Sequence, residues 1–290
     1  MSERLHPVFR ALALPGIFAL VAFTLVPVVA GGLYAFTDWK GLGDFNWIGL
    51  DNCREIFDDP TTRGALWHTL VFGFALVVIT NLVGLGLALG LNRTLKTRNL
   101  LRAVFFLPVI LSPLAVSYLW KYILDPQGLA NQFLGEIGLE TWQRAWLGDP
   151  NWALLAVLLV LVWQQSGLTM VIYLAGLQTI PDDLLEASEV DGASTWMRLR
   201  RITLPMLRPA FIIASTLTLI FGLRVFDQIL GLTAGGPVGA TETLATQVWK
   251  QSFANGRFGY GAALSILLTL MIGAFALLQL TLLRRREGDA

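Results

Sequence analysis

The stretch Ile180–Pro209 reads IPDDLLEASEVDGASTWMRLRRITLPMLRP and predicts two short helices joined at a glycine. Pro181 is favoured at a first helical position, and the two aspartates after it complement the positive end of the helix dipole. Gly192 is placed to end that helix, because glycine best tolerates a left-handed conformation. Ser194 is a natural N-cap for the second helix, which Pro205 is expected to end.

This helix–glycine–helix segment, residues 180–209, is longer than a plain connection between two helices needs. Its apolar residues alternate with acidic ones in the first half and with arginines in the second half. From the residues alone, two explanations stay open. The segment docks on another protein, or it lies as an amphipathic hairpin on acidic lipid headgroups.

Long apolar segments lie on both sides of this stretch. A spanning helix needs roughly 20 mainly apolar residues, because each adds about 1.5 Å across about 30 Å of hydrocarbon. Continuous rather than alternating hydrophobicity favours helices over barrel strands. The candidate spans are Ala11–Phe36, Trp67–Leu91, Ala103–Tyr122, Trp152–Leu177, Pro209–Leu230 and Gly259–Leu283. The sequence therefore predicts an all-α, polytopic membrane protein with six transmembrane helices, forming a single transmembrane domain over residues 1–290.

Composition agrees with a membrane protein and argues against other classes. The chain is 55% hydrophobic and 14% charged, whereas soluble domains carry about 25% charged residues. A net charge of +1 argues against nucleic-acid binding, which needs a basic surface. Cys53 is the one cysteine, so no intramolecular disulfide is possible, and two histidines make a His/Cys metal cluster unexpected.

Charge distribution predicts the orientation of the chain. Short cytoplasmic loops carry excess Lys and Arg. Such residues flank the spans at Arg4, Arg10, Arg93, Lys96, Arg98, Arg102, Arg198, Arg200, Arg201, Arg208, Arg284, Arg285 and Arg286. Both termini are therefore predicted to be cytoplasmic.

The alternative for the first span is a signal peptide, since its start is basic and Val28–Ala30 loosely resembles a cleavage site. Its apolar length through Phe36 favours a retained helix.

Small and polar residues inside the spans predict helix packing. Gly84, Gly86 and Gly90 would let the second span approach a neighbour closely, although glycine is also simply common in membrane helices. Asn81, Gln164 and Gln165 are expected to face protein or a water-filled path. An unsatisfied amide in hydrocarbon costs about 4–8 kcal/mol on alkane scales, so these side chains need partners.

No motif for bond-making chemistry is evident in the sequence. Gly90–Thr97 reads GLNRTLKT, and Leu95 stands where a phosphate loop needs its second glycine. HExxH, GxSxG and paired-histidine spacings are absent from the sequence, and His68 is interpreted as an interfacial residue at the mouth of the second span. We therefore expect no catalytic site in this chain, and any active transport would draw energy from an ion gradient or a partner.

The helix–glycine–helix segment resembles the EAA loop of ABC importer permeases. The resemblance is carried by Glu186-Ala187-Ser188, Asp191-Gly192-Ala193, Ile202 and Leu204-Pro205. Ser188 stands where the family has a third-position alanine, and Leu199 where many sugar permeases have phenylalanine. The resemblance implies that this segment is a coupling helix seated in a groove of a cytosolic ATPase. The coupling residues it implies are Glu186, Ala187, Asp191, Gly192, Ala193, Leu204 and Pro205.

Shorter matches along the chain resemble the maltose-type carbohydrate permeases. They are Phe36-Thr37-Asp38-Trp39, Gly49-Leu50-Asp51-Asn52, Phe105-Phe106-Leu107-Pro108, Leu124-Asp125-Pro126, Phe226-Asp227 and Thr233–Pro237. Their order implies a permease that imports a sugar across a bacterial inner membrane. The implied partners are a second homologous permease, a cytosolic ABC ATPase dimer and an extracytoplasmic sugar-binding protein, with membrane lipid around them. ATP and Mg would be bound by the ATPase, with no cofactor in this chain.

The substrate path is harder to assign. Trp120, Trp163, Gln164 and Gln165 offer stacking and hydrogen bonds to a sugar, although interfacial anchoring explains Trp120 equally well. Arg224 and Asp227 lie three residues apart near the outer end of the fifth span. Charges in a membrane are functional candidates, and the alternative is that these two pair with each other and brace the outer loop.

Two alternative functions stay open at this point. Glycerol-phosphate or another polyol would replace the sugar within the importer class, and a phosphate would need a basic site. An ion-coupled secondary transporter would need acidic residues at mid-membrane, and Asp227 lies near the end of a span.

Overall fold

The computed structural model describes residues 7–92 and 96–285, and regular structure within these ranges is helical apart from one bridge between Thr37 and Trp47. The first helices are α1 (Pro7–Leu20), α2 (Val26–Tyr34), α3 (Asp51–Asp58), α4 (Pro60–Leu91), α5 (Arg98–Ile110), α6 (Pro113–Ile123), α7 (Leu129–Glu136) and α8 (Pro150–Leu177). The remaining helices are α9 (Asp182–Val190), α10 (Thr195–Arg198), α11 (Leu204–Met206), α12 (Arg208–Leu223), α13 (Asp227–Leu232), α14 (Leu244–Trp249) and α15 (Phe258–Arg285).

The described residues contain four helices that are long and apolar enough to cross a membrane, and six candidate spans, the predicted number, if each of two bent helix pairs is one span. Four are long apolar helices: Leu14–Tyr34, α4, α8 and Phe258–Thr281. Two more are bent pairs, in which α6 turns by 102° from α5 and α12 turns by 67° from the helical run Thr195–Met206. Of the basic residues that predict the orientation, Arg4, Arg93 and Arg286 lie outside the described residues.

The third predicted span is broken, which corrects the expectation of one helix over Ala103–Tyr122. Helix α5 ends at Ile110, and Leu111 and Ser112 are extended, with ψ of 141° and 133°. Pro113 explains the break, because it has no backbone N–H and disfavours helical backbone at the residue before it. The break leaves carbonyl groups inside the membrane region that need partners from other helices.

The first span is helical through Tyr34, in agreement with the predicted segment. A five-residue π-helical turn, Val21–Leu25, joins α1 to α2 and directly precedes a helix start that contains Pro27. A proline cannot donate to the preceding turn, and local π geometry accommodates that loss. None of the most apolar part of this span is buried against the rest of the described chain.

The chain divides into two compact units. One comprises residues 7–60 and 247–269. In it, the buried Asn52 amide donates to the carbonyl oxygens of Ala35 and Thr37 at 2.8 and 2.9 Å, which fastens α3 to the end of the first span. Tyr34 stacks on Trp39 with ring centroids 4.2 Å apart.

The second unit comprises residues 61–246 and 270–285. One buried apolar cluster joins α4, α6, α8 and α13, and another joins α4, α8 and α12. A polar link runs through them at membrane depth. The Asn81 amide donates to Thr218 Oγ1 at 3.0 Å and accepts from the Tyr173 hydroxyl at 2.8 Å. The prediction that Asn81 faces protein is confirmed.

The glycines of α4 divide into two kinds. A side chain on Gly84 would collide with Thr169 of α8, so the predicted close approach at Gly84 is confirmed. A side chain on Gly86 or Gly90 would have nothing of the described chain within 4 Å, so these two are not contacts between helices of this chain. Helix α8 also approaches α5 closely, because a side chain on Gly167 would meet the backbone oxygen of Phe105.

Candidate functional site

The first half of the helix–glycine–helix segment folds as its residues predict. Helix α9 starts directly after Pro181, which sits at the N-cap with ψ of 133°, one position before the predicted one. The helix ends at Val190, and Gly192 adopts the left-handed conformation with φ of 76°. The Gly192 N–H donates to Glu189 O at 3.0 Å and the Ala193 N–H to Ser188 O at 2.9 Å. These two bonds satisfy carbonyls at the helix end and reverse the chain.

The second half begins as predicted and ends later. The Ser194 side chain accepts from the Met197 N–H at 3.3 Å, which confirms it as the N-cap. Helix α10 continues through a π-helical turn, Leu199–Thr203, into α11. Pro205 was expected to end this helix, and that expectation is wrong: helical backbone runs to Met206. The proline lies in α11, which directly follows the π-helical turn, and local π geometry accommodates the missing N–H of the proline.

Helix α9 has one face against the membrane helices and one face open. Ser188 is buried and its hydroxyl donates to Leu185 O at 2.6 Å, while Leu185 packs against the cluster of α4, α8 and α12. The open face carries acidic and small residues together with two exposed apolar side chains, Leu184 and Val190. Of the residues singled out in the sequence, Glu186, Ala187, Asp191, Gly192, Leu204 and Pro205 are exposed, and Ala193 is half-buried.

An ion pair that the sequence reasoning missed joins the two halves of the segment. Arg198 pairs with Glu189 across the Gly192 turn. The arginine side chain keeps 22% of its surface exposed and the glutamate 61%. Opposite charges placed on either side of a helix-ending glycine are a signal that would have found the pair, because the turn brings the two helices side by side.

Trp120 and Trp163 come together, as candidates for one site should. Their rings meet edge to face with centroids 5.4 Å apart. They line a cavity of about 550 Å³ between α4, α5, α6 and α8, whose other walls are almost entirely apolar. The Trp120 indole N–H is buried and has no hydrogen-bond partner in the described chain. The cavity offers ring surface, with few partners for the many hydroxyls of a sugar.

Gln164 braces the broken third span. Its Nε2 donates to Leu111 O at 3.2 Å, and its Oε1 accepts from Gln228 Nε2 at 3.0 Å. The Leu111 carbonyl belongs to the break between α5 and α6, where the helical ladder is interrupted. Gln228 is 2% exposed and was not singled out from the sequence. The Gln165 side chain is half-buried and makes no hydrogen bond within the described chain, so the two adjacent glutamines differ in environment.

Arg224 and Asp227 flank a break in the chain. Helix α12 ends at Leu223, and Asp227 opens the short helix α13. Both charged side chains are exposed, and no ion pair joins them in the part of the chain that the structure describes. The expectation that they pair with each other is therefore wrong. Both line a concavity of about 400 Å³ together with Phe221 and Gln228.

Four of the candidate path residues thus line two cavities, and Gln164 is hydrogen-bonded to one residue of each, Leu111 and Gln228. One cavity is apolar and contains the two tryptophans, and the other contains the two charged residues. Gln164 is hydrogen-bonded to Gln228, which lines the charged cavity. Within the described residues, no group of His, Cys, Asp and Glu is arranged to hold a metal ion.

Comparison with known families gives one match over most of the chain. Residues 80–288 match the model of a family described as binding-protein-dependent transport system inner membrane component. Curated relatives match over almost the full length. A probable starch degradation products transport permease, AmyD of Thermoanaerobacterium thermosulfurigenes, is 33% identical over 95% of this chain and 93% of its own. The multiple sugar-binding transport permease MsmF of Streptococcus mutans is 34% identical over 92% of both chains.

Solved structures agree with these relatives. A bacterial ABC transporter that imports the acidic polysaccharide alginate superposes with a TM-score of 0.85 at 25% identity, covering 96% of this chain and 95% of that one. The same kind of transporter in complex with an alginate-bound periplasmic protein superposes with a TM-score of 0.84, also at 25% identity, covering 96% and 94%.

Proposed function

This chain belongs to the family of binding-protein-dependent transport system inner membrane components, and from that membership we infer that it is a transmembrane subunit of an ATP-driven sugar importer. It is a permease subunit and not an enzyme. Relatives named for starch products, multiple sugars and trehalose/maltose support a sugar as the cargo. Family membership also favours the importer over an ion-coupled secondary transporter.

We propose that the chain works with three kinds of partner. A second homologous permease completes the path, a cytosolic ABC ATPase dimer binds ATP and Mg, and an extracytoplasmic binding protein delivers the sugar. The alginate transporter, whose complex includes a periplasmic protein, supports the last of these. We also propose that residues 1–290 serve as one permease domain in a bacterial inner membrane, with both termini cytoplasmic.

The observation that carries this proposal is the open face of α9. Glu186 and Asp191 lie exposed on it while Ser188 and Leu185 are held against the membrane helices. An amphipathic hairpin resting on acidic lipid would present basic residues to the headgroups, and α9 presents acids instead. We propose that Glu186, Ala187, Asp191, Gly192 and Ala193 seat in the ATPase, with Leu204 and Pro205 leading into the membrane.

For the substrate path we propose the charged cavity over the apolar one. Arg224 offers donors, Asp227 offers acceptors and Phe221 offers a stacking surface, which together suit the hydroxyls and ring faces of a sugar. Trp120 and Trp163 would line the apolar cavity, and Gln164 would hold the break between α5 and α6. Gln165 lines neither of these two cavities, and we propose it for the path because its half-buried side chain has no hydrogen-bond partner in the described chain.

The alternative cargo is a glycerol-phosphate or another polyol. A relative named as an sn-glycerol-3-phosphate permease, UgpA of Pectobacterium atrosepticum, is 30% identical over 97% of this chain. Arg224 would attract a phosphate, but the carboxylate of Asp227 beside it repels one. The balanced charge of the cavity therefore favours a neutral sugar.

Co-purification tests the proposal. The tagged chain is extracted in mild detergent from its native membranes, and accompanying proteins are identified by mass spectrometry. We expect a second permease and a P-loop ATPase with the wild type, and loss of the ATPase with Asp191→Lys or Gly192→Trp. Asp44→Lys, an exposed acid in a predicted outer loop, is the matched control and should keep it. A wild-type chain that purifies without an ATPase would contradict the importer assignment.

A further inference from the structure

The helix–glycine–helix segment has a weak point at its centre. Gly192 adopts φ of 76°, and a side chain built on it would have nothing within 4 Å. The turn is therefore held by its backbone bonds from Gly192 to Glu189 and from Ala193 to Ser188, without packing around the glycine itself. Glycine has the widest backbone freedom of any residue. We call α9 and the helical run Thr195–Met206 the two arms of the segment. Movement of one arm is passed to the other only if a further contact fixes the angle between them.

The two arms are attached to the membrane helices in different ways. Helix α9 attaches by packing, with Leu185 against the cluster of α4, α8 and α12 and Ser188 buried. The run Thr195–Met206 leads directly into α12, from which it is bent by 67°. Helix α12 ends next to Arg224, one of the charged residues of the proposed sugar path. The angle at Gly192 therefore determines how much of a movement of α9 is passed through this run to α12, the helix that borders the proposed path.

An ion pair between side chains links the two arms across the Gly192 turn. The Arg198 guanidinium pairs with the Glu189 carboxylate, and most of the arginine side chain is shielded from solvent. A shielded charge pair is screened less by salt than an exposed one, and an arginine left there without its partner would be costly. Arg200, two residues further along, is exposed and in no ion pair within the described chain, so it has no corresponding role.

We propose that the Glu189–Arg198 ion pair is the brace that sets the angle between the two arms and couples ATPase movement to the membrane helices. This rests on the proposed docking of α9 on an ATPase. The pair positions the coupling surface and does not itself contact ATP or sugar. Breaking it leaves the exposed face of α9 in place, so the ATPase still docks and hydrolyses ATP while less of its movement reaches the path.

The test is a charge swap in the complete importer reconstituted in proteoliposomes, with sugar imported and ATP hydrolysed measured on the same sample. Glu189→Arg and Arg198→Glu should each lower the amount of sugar imported per ATP about threefold, as expected for loss of a partly shielded ion pair. The double variant, which restores the pair in reverse, should recover most of the wild-type ratio. Arg200→Glu is the matched control and should leave the ratio unchanged.

The outcomes separate the brace from the docking on which it rests. Single variants that keep the wild-type ratio would overturn the brace, and so would a double variant that stays as low as the singles. Misfolding is checked by the amount of ATPase co-purifying with each variant, which the brace predicts to be unchanged. A loss of ATPase in the singles that the double variant does not repair would also overturn it. Absence of ATPase from the wild-type complex would instead refute the proposed function itself.

Discussion

The helix–glycine–helix segment around Gly192 and the cavities around Gln164 differ in how their residues come together. The segment is built from neighbours in sequence: Gly192 bonds back to Glu189, and Ser194 caps the helix that follows. The cavities are built from distant residues, such as Gln164 and Gln228, which are 64 positions apart. Changes in the segment should therefore act on docking with little effect on folding, whereas changes near the cavities should act on the fold first.

The largest effect is expected at the docking face. Asp191→Lys should lower the amount of co-purifying ATPase by about tenfold or more, since removing one partner of a buried charge pair at an interface costs about 2–5 kcal/mol. The melting temperature of the isolated chain should stay unchanged, because Asp191 is exposed. The measurement is quantitative mass spectrometry of the purified complex beside a thermal melt. A large fall in melting temperature would contradict this difference between the two regions, because it would show that the segment also stabilises the fold.

A large effect on the fold is expected at a glycine that lies between helices. Gly84→Val should destabilise the purified chain by about 1–3 kcal/mol, because the added side chain collides with Thr169. Gly86→Val places the same side chain two residues away, where nothing of the described chain lies within 4 Å. Thermal unfolding in detergent measures both. Equal destabilisation by the two variants would contradict the packing of α4 on α8.

A smaller effect is expected at the glutamine pair. Gln164→Leu should cost about 1–2 kcal/mol, because it leaves the Leu111 carbonyl and the Gln228 amide without their partner. Gln165→Leu is the matched control, since the Gln165 side chain makes no hydrogen bond within the described chain. Melting temperatures again give the comparison. A control that falls as far as Gln164→Leu would show that the bracing of the break is unimportant.

The smallest effect is expected in the loop after the first span. Hydrogen bonds from the Asn46 backbone N–H and side-chain amide lower the pKa of Asp38 below its usual value. The folded loop therefore gains stability above the usual aspartate pKa and loses it as pH falls below about 4. Protection of the Asn46 amide against hydrogen exchange, expressed relative to the intrinsic exchange rate at each pH, should fall over that range in the wild type. In Asp38→Asn this protection should stay constant over the same pH range. An equal fall in protection in this variant would show that protonation of Asp38 is not the cause.

The sequence predicted the parts of the molecule that depend on neighbouring residues. Gly192 and Ser194 act within one turn of themselves, so a helix end and a helix start followed from residue types. Hydropathy predicted the spans, since the membrane imposes one length and one polarity on each of them. The break at Leu111 was missed because hydropathy does not register a missing N–H, although Pro113 was visible.

Contacts between distant helices were beyond sequence reasoning. Gly84 and Gly86 look alike in the sequence, and only the direction in which each faces α8 distinguishes them. Arg224 and Asp227 have the spacing of a helical ion pair, but the helix ends between them, so they do not pair. Trp120 and Trp163 do meet, yet their cavity is apolar because of side chains contributed by four helices.

Sugar import and ATP hydrolysis, measured together in proteoliposomes that contain the complete importer, test the central claim most directly. Arg224→Gln and Asp191→Lys are compared with the wild type. We predict that Arg224→Gln lowers import about tenfold, as for loss of a charged hydrogen bond, while the ATPase stays bound and active. Asp191→Lys should abolish import because the ATPase no longer stays in the complex. Import at the wild-type rate by Asp191→Lys would contradict the assignment of Asp191 to ATPase docking. Loss of the ATPase in Arg224→Gln would contradict the assignment of Arg224 to the sugar path alone.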